Sequence, residues 1–113
     1  MEQLLCKIKD INRAIIQFED QLRGEFGISL NEGMLLCALN RCDVSSASQC
    51  AELLSLTPSN MSKVIKGAEA NGYISRHLGI EDKRTMYFQI TEKGKALMHR
   101  IDHWDIVVPD LLK

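Results

Sequence analysis

The segment Ser48–Ile65 reads SQCAELLSLTPSNMSKVI, the pattern of two short helices joined by a tight turn. Thr57 is a residue type favoured as a helix N-cap, and Pro58 suits the first helical position, where its missing N–H leaves no hydrogen bond unmade. The pattern therefore predicts one helix over about 47–54 and a second over 58–71. This order indicates a helix-turn-helix, a motif that places the polar face of its second helix in a DNA groove.

The second predicted helix has two chemically different faces at 100° per residue. Its apolar side is expected to pack in the core, and its polar side mixes hydroxyl and ammonium groups without acids. Phosphates and base edges in the major groove accept hydrogen bonds from such groups. An ordinary solvated face is the alternative interpretation, although such faces usually carry Glu beside Lys. The apolar residues are Met61, Val64, Ile65 and Ala68, and the polar ones are Ser59, Ser62, Lys63 and Lys66.

Two strands with a charged tip are predicted after this helix. Residues 73–78 and 85–90 are rich in β-forming residues, and apolar residues alternate along the second strand. The connection 79–84 is too long for a two-residue turn and carries charge at its end. We therefore expect a β-ribbon of the kind called a wing.

A long amphipathic helix is predicted over residues 2–24, with Gly24 and Gly27 ending it. Its apolar residues recur at offsets of three and four and form one stripe. Such a stripe needs another surface to cover it, which is either the chain's own core or a second copy of the chain. The stripe consists of Leu4, Ile8, Ile11, Ile15, Phe18 and Leu22.

A helix over about 32–41 is expected to begin with Asn31 as its N-cap. It is apolar nearly all round, which is typical of a buried helix, so Cys37 is expected in the core. A loop over 43–46 that includes a capping serine should follow.

A final helix is predicted over about 92–104, with Thr91 as its cap and Pro109 ending any continuation. His99 and His103 form an i, i+4 pair on it, but no third metal ligand is identifiable. The apolar residues of this helix include Leu97, Ile101 and Trp104.

The charge of the chain is unevenly distributed. The net charge is −1, but residues 58–100 hold 8 Lys and Arg against 4 Asp and Glu, while the segments on either side are acidic. A localised basic block is typical of a surface that contacts phosphate.

Several classes of function are disfavoured by the residues. The sequence has no glycine-rich phosphate loop, no paired carboxylates in a loop and no Ser/His/Asp arrangement, so we expect no enzyme and no cofactor. No apolar run is long enough to span a membrane and no signal peptide is evident, so a cytoplasmic location is expected. The cysteines lack zinc-site spacing, and a structural disulfide is not expected in a cytoplasmic chain. They are Cys6, Cys37, Cys42 and Cys50.

Five groups of residues stand in the order and spacing of one known family. They are Ala51-Glu52 with Leu54 and Leu56; Ser59-Asn60-Met61-Ser62-Lys63; Glu69, Asn71-Gly72-Tyr73-Ile74 and Arg76; Asp82-Lys83-Arg84; and Ile90-Thr91-Glu92-Lys93-Gly94. The chain resembles the MarR (multiple antibiotic resistance regulator) family of bacterial winged-helix transcription factors, of which it would be a short member. The resemblance is good over about residues 28–100.

The resemblance implies a mainly α fold with a small β-ribbon wing, a winged helix-turn-helix. It implies one domain over 1–113, with a dimerisation helix at 2–24, a DNA-binding core at 29–91 and a C-terminal dimerisation helix at 92–108. Helices at both termini would contribute the interface of a homodimer. The residues expected there are Leu4, Ile8, Ile11, Ile15, Leu22, Leu97, Ile101 and Trp104.

The resemblance also implies the mode of DNA binding. Helix 58–71 would enter the major groove of a pseudo-palindromic duplex, and the wing at 79–84 would reach the minor groove, with Asp82 holding Arg84 by a salt bridge. Arg76 and the start of the last helix, at Lys93 and Lys95, would contact phosphate. The expected DNA-binding residues are Thr57, Pro58, Ser59, Asn60, Ser62, Lys63, Lys66, Arg76, Asp82, Lys83, Arg84 and Lys93.

The regulatory role expected from the resemblance is that of a repressor. MarR-like dimers often bind small aromatic acids, so a small-molecule effector is a candidate partner. Two alternatives stay open. One branch of the family senses peroxides with a cysteine near the N-terminus, where Cys6 stands, and some winged helices serve only protein contacts. The cations of the polar helix face and the wing argue against the second alternative.

Overall fold

The computed structural model describes residues 1–41, 45–79 and 84–113. Cys42, Asp82, Lys83 and most of the predicted wing tip therefore lie outside the described residues. In chain order, the elements are α1 (Glu2–Phe26), α2 (Leu30–Arg41), β1 (Ser45–Ser46), α3 (Ala47–Leu54), α4 (Pro58–Ala70), β2 (Ile74–Leu78), β3 (Met86–Ile90), α5 (Glu92–Asp102) and a 3₁₀ turn at Asp110–Leu112. They confirm the mainly α class with a small sheet.

The chain divides into two compact units, one formed by residues 1–30 and 105–113 and the other by residues 31–104. We call them the α1 unit and the winged unit.

Helix α1 is the main element of the α1 unit. It runs two residues beyond the predicted end at Gly24 and stops where Gly27 adopts a left-handed conformation with φ 71°. A residue without a Cβ adopts that conformation at little cost, and the N–H of Gly27 then donates to the carbonyl of Arg23 at 2.9 Å. Of the two glycines expected to end the helix, only Gly27 does so.

The start of α2 differs from the prediction. The helix begins at Leu30, so Asn31 lies inside it and the prediction of Asn31 as N-cap is wrong. The backbone N–H of Leu30 donates to the Glu19 carboxylate at 2.7 Å. A carboxylate at this end also suits the positive pole of the helix dipole. This partner is 11 residues away, beyond the reach of a local capping pattern.

Burial along α2 is also less complete than its composition suggested. Leu35, Leu36 and Leu39 are at most 1% exposed, but Met34 is 39% exposed. Cys37 is only half-buried, so the expectation of a core cysteine is wrong there. Among the three cysteines that the structure describes, Cys50 on α3 is the fully buried one.

The winged unit contains a three-stranded antiparallel sheet in the order β1-β3-β2. β2 and β3 match the two predicted strands, and Arg76 pairs with Phe88 in their register. β1 was missed, because Ser45 and Ser46 were expected to form a loop; they pair with Phe88 and Tyr87. Ser46 nevertheless caps α3 as predicted, accepting from the N–H of Gln49 at 3.3 Å.

The core of the winged unit is formed by side chains from all its helices and from β2 and β3. The buried apolar residues of these elements are Leu35, Leu36, Leu39, Cys50, Ala51, Met61, Ile65, Ala68, Ile74, Phe88, Ile90 and Leu97. Residues Met61, Ile65 and Ala68 are the apolar face predicted for helix 58–71. Their burial turns the opposite face of α4 outward.

Helix α5 begins as predicted and ends earlier. Thr91 caps it by accepting from the N–H of Gly94 at 3.1 Å. The helix ends at Asp102, so Trp104 and residues 105–108 are outside it, unlike the predicted segments 92–104 and 92–108. Gly94 permits a close approach, because a Cβ there would overlap the Tyr73 carbonyl oxygen and lie 2.7 Å from Cγ1 of Ile90.

Replacing Gly94 should therefore destabilise the protein. We expect Gly94→Ala to lower the free energy of unfolding by about 1–3 kcal/mol, since backbone must move to admit the methyl group. Gly24→Ala is the matched control, because a Cβ at this helical position has no neighbour within 4 Å. It should raise stability by about 0.5–1 kcal/mol. Urea denaturation of both variants tests this, and equal effects would contradict the close approach.

Candidate nucleic-acid interface

The amino-terminal end of α4 is fixed by two adjacent residues. Thr57 has an extended backbone, with φ −67° and ψ 156°, and Pro58 is the first helical residue. The Thr57 hydroxyl accepts from the backbone N–H of Asn60 at 3.2 Å. The predicted cap and proline position are thus confirmed, and the direction in which α4 leaves the turn is set by local chemistry.

The turn before α4 includes a strained residue that the sequence did not reveal. Ser55 adopts a left-handed conformation with φ 56°, a region that non-glycine residues rarely occupy. Its N–H and that of Leu56 bond to carbonyls of α3, at 3.3 Å to Glu52 and 2.9 Å to Ala51. These bonds hold the angle between α3 and α4.

The outward face of α4 carries the predicted polar residues. All of them are exposed, whereas Met61, Ile65 and Ala68 are buried and Val64 is half-buried. The separation of faces at 100° per residue is therefore present in the folded chain. Together with the turn, the exposed set comprises Thr57, Pro58, Ser59, Asn60, Ser62, Lys63 and Lys66.

A groove of about 440 Å³ adjoins this face, between helices α3 and α4 and the sheet. Its lining brings Ser62 and Lys66 of α4 together with Arg76 of β2, and includes Ser48 of α3 and Met86 of β3. Sequence reasoning missed Ser48 and Met86, because only the folded sheet places them beside α4.

Arg76 lies on β2, and its guanidinium forms an ion pair within the chain. Its Nη2 is 2.7 Å from Oε1 of Glu69 on α4, and its Nε is 3.2 Å from Oε2 of the same carboxylate. The guanidinium also lies 5.4 Å from the centre of the Phe88 ring. The hydrogen bond to Glu69, followed by the charge of Glu69, raises the pKa of Arg76 above its ordinary value. The pair joins α4 to β2, a role different from the phosphate contact predicted for Arg76.

Lys93 is likewise engaged inside the winged unit. Its Nζ donates to the backbone carbonyl of Asn71 at 2.6 Å and lies 5.1 Å from the centre of the Tyr73 ring. Lys93 was also predicted to contact phosphate, and the structure places its ammonium at the carboxyl end of α4.

The described part of the wing is the paired β2–β3 ribbon. Gly79 donates to the carbonyl of Thr85 at 2.9 Å, next to the last pair of the ladder. Arg84 is exposed beyond it. The predicted salt bridge of Asp82 with Arg84 lies outside the described residues.

The residues predicted for a dimer interface fall into three groups. Leu4 and Ile8 on α1 are 51% and 44% exposed, whereas Leu22 and Leu97 are 2% and 3% exposed in the single chain. The last two side chains therefore have almost no exposed surface in the single chain. Ile11, Ile15, Ile101 and Trp104 are half-buried.

The remaining candidate groups are a cysteine on α1 and a pair of histidines at the end of α5. Cys6 is an exposed free thiol on α1. Nδ1 of His103 lies 2.9 Å from the carbonyl oxygen of His99, and their rings are 4.3 Å apart. Within the described part of the chain, no group of three or more His, Cys, Asp or Glu is placed to hold a metal ion.

Among residues 1–41, 45–79 and 84–113, no helix has the length and apolar character needed to cross a membrane.

Comparison with protein families identifies a matching family. Residues 17–101 match the model of a family described as transcriptional regulator SarA/Rot. A comparison with curated proteins gave no match. The family and its fold are those of transcriptional regulators, which are not enzymes, and this confirms the non-enzymatic prediction.

Many solved structures share the fold. The transcriptional regulator BldR from Sulfolobus solfataricus aligns with a TM-score of 0.81 and 24% identity, over 89% of this chain and 73% of its own. FabT from Streptococcus pneumoniae, solved in complex with DNA, aligns with a TM-score of 0.76 and 22% identity, over 90% and 73%. A MarR variant from E. coli, complexed with operator DNA, aligns with a TM-score of 0.73 and 15% identity, over 90% of this chain and 70% of its own. These likenesses confirm the MarR-type winged-helix fold.

The cap of α4 should have a measurable effect on stability. We expect Thr57→Ala to lower the free energy of unfolding by about 1 kcal/mol, because the N–H of Asn60 loses its acceptor. Ser59→Ala, an exposed change two residues further on, should stay within about 0.5 kcal/mol of the wild type. Thermal and urea unfolding measure both changes. A Thr57→Ala protein as stable as Ser59→Ala would contradict the capping geometry.

Proposed function

This chain belongs to the SarA/Rot family of transcriptional regulators, and from that membership we propose that it binds double-stranded DNA sequence-specifically as a homodimer. Helix α4 enters the major groove of a pseudo-palindromic operator. The wing, which connects β2 to β3, reaches the adjacent minor groove.

The observation that carries this proposal is the exposed face of α4. Its Ser59, Ser62, Lys63 and Lys66 are exposed donors, and the sequence over 58–68 contains no acid. The buried face opposite holds the helix in place. Hydroxyl and ammonium groups donate to phosphate oxygens and to acceptors on base edges in the major groove. The acid of α4, Glu69, has its charge compensated by Arg76 at 2.7 Å.

Two proteins with this fold support the proposal, since FabT and the MarR variant were solved with bound DNA. At their level of identity the likeness concerns the fold, so the DNA contacts proposed for this chain rest on its own residues. For the major groove these are the exposed residues of 57–66, and for the minor groove they are Lys83 and Arg84, with Asp82 orienting Arg84. A guanidinium suits a narrow minor groove because of its negative potential.

The proposed dimer rests on the apolar surface of α1. Leu4, Leu5, Ile8 and Ile16 are between 44% and 61% exposed. Val107 and Leu111 of the same unit are 91% and 48% exposed. A concentration of exposed aliphatic side chains in a small unit is typical of an interaction surface. A second copy is the partner that also explains recognition of an inverted repeat, because a two-fold protein matches a two-fold operator.

The regulatory outcome that we propose is repression. A dimer spanning two half-sites occupies about two turns of DNA and excludes other proteins from them. A small-molecule effector is a candidate partner that would release the DNA by favouring a dimer with a different spacing of its two α4 helices.

Two substitutions test the DNA contacts. We expect Lys66→Ala to weaken duplex binding about tenfold, either at all sequences or at one half-site position, because a donor to phosphate or a base edge is lost. Arg84→Ala should weaken binding mainly where the flanks are A·T-rich. Fluorescence anisotropy titrations at one salt concentration measure both affinities. Lys113→Ala, a loss of charge outside the proposed interface, is the control and should bind like the wild type. Wild-type affinity in both test variants would contradict the proposal that α4 and the wing contact DNA.

A single charge on α1 tests the dimer. Ile8→Asp should shift the protein toward monomer at micromolar concentration, because a buried carboxylate would have no partner in an apolar seam. Gln17→Glu adds the same charge at an exposed polar position of α1 and should leave the dimer intact. Sedimentation equilibrium gives the masses. A dimeric Ile8→Asp protein, or a monomeric wild type, would count against this interface.

A further inference from the structure

The carboxyl end of α4 has no positive charge of its own. Its last turn contains no basic residue and includes Glu69. The backbone N–H groups of Asn71, Gly72 and Tyr73 turn back and donate to carbonyls of this turn, at 3.2 Å to Gly67, 2.9 Å to Glu69 and 3.0 Å to Ala68. A helix carboxyl end is the negative pole of the helix dipole and favours a nearby cation.

The N-cap and first turn of α5 supply one donor to each of the carbonyls of Asn71, Gly72 and Tyr73. Lys93 Nζ donates to the carbonyl of Asn71 at 2.6 Å. The Thr91 hydroxyl donates to the carbonyl of Gly72 at 2.7 Å. The Thr91 backbone N–H donates to the carbonyl of Tyr73 at 2.9 Å. We call this set of three bonds the carbonyl clamp.

The outer part of the Lys93 side chain lies beside Gly72 and the Tyr73 ring. Its Cδ would lie 3.5 Å from a Cβ on Gly72, and its Nζ lies 5.1 Å from the centre of the Tyr73 ring. An ammonium over an aromatic face gains electrostatic stabilisation in addition to its hydrogen bond. Gly94, which follows Lys93, lacks the Cβ that would collide with Tyr73. The sequence Thr91-Glu92-Lys93-Gly94 is therefore matched to the segment that ends α4.

We propose that Lys93 is a positioning residue for DNA binding, which acts as a cationic cap on the carboxyl end of α4 and fixes that helix relative to the wing. The proposal rests on the proposed function of α4 and replaces the phosphate contact expected for Lys93. Reaching for a phosphate would break the bond to Asn71 and leave the negative pole of α4 without its cation.

Four proteins test this proposal: the wild type, Lys93→Met, Lys93→Arg and Lys95→Met. Methionine keeps the apolar stem and loses the ammonium. Arginine keeps the charge and should rescue the function of the clamp. Lys95 stands two residues further on and its Nζ is 3.6 Å from Glu92, so Lys95→Met controls for the loss of charge on α5.

The first measurement is amide hydrogen exchange in the protein without DNA. In Lys93→Met, the amides of Asn71, Gly72 and Tyr73 should exchange about five- to tenfold faster, because the helix end loses a charged hydrogen bond and a favourable cation. In Lys93→Arg, the exchange rates of these amides should stay within about threefold of the wild type, and in Lys95→Met within about twofold. Both changes are smaller than the one expected for Lys93→Met. Unchanged exchange in Lys93→Met would overturn the proposal.

The second measurement is duplex affinity as a function of salt. A positioning role predicts that Lys93→Met weakens binding several-fold at every salt concentration without changing the slope of log K against log salt. A lost phosphate contact would instead reduce the magnitude of that slope by about 0.9, and this result would overturn the proposal. If the wild type bound no duplex, the proposed function would fail, and the exchange measurement would still decide whether Lys93 caps α4.

Discussion

The burial of one face of α4 is the constraint on which the proposed site depends. Met61, Ile65 and Ala68 are at most 3% exposed, and removing each of the two larger side chains from water contributes about 1.5–3 kcal/mol. With this face fixed, helical geometry leaves Ser59, Ser62, Lys63 and Lys66 no orientation except outward. The chemistry that a DNA groove would meet is thus set by the core.

The other contacts of α4 determine its direction. Thr57 and Pro58 fix its start, the ion pair of Glu69 with Arg76 ties its last turn to β2, and the first turn of α5 holds the carbonyls that follow it. The basic block from 58 to 100 is therefore not uniformly available to DNA. Arg76 and Lys93, both predicted to contact phosphate, bind acceptors within the winged unit. The proposed recognition therefore relies more on the exposed Lys63 and Lys66 of α4.

Much of this could be predicted from the sequence, because the signals are local. Capping by Ser46, Thr57 and Thr91, the faces of α4 and the alternation in β3 all depend on neighbours within a few residues. The missed features depend on distant partners. Glu69 and Arg76 are 7 residues apart, Asn71 and Lys93 are 22 apart, and Leu30 finds Glu19 across 11 residues. A sequence pattern identifies these cations but not the acceptors that the fold brings to them, so both Arg76 and Lys93 were interpreted as phosphate contacts.

The same limit applies to apolar surfaces. A stripe at helical spacing predicts α1, but it cannot tell Leu22, which is buried in the single chain, from Leu4, which is 51% exposed. In α2, an apolar composition nearly all round suggested complete burial, whereas Met34 faces solvent. Periodicity specifies which residues share a face, and only the tertiary arrangement specifies whether that face is covered.

Selection of tight binders from a random pool of duplex DNA, at near-physiological salt with reductant present, tests the central claim most directly. Sequence-specific binding by a dimer predicts enrichment of an inverted repeat, with half-sites separated by about one helical turn. A pool without any enriched motif, obtained with protein shown to be folded, would contradict the claim. It would then favour a winged helix that serves protein contacts.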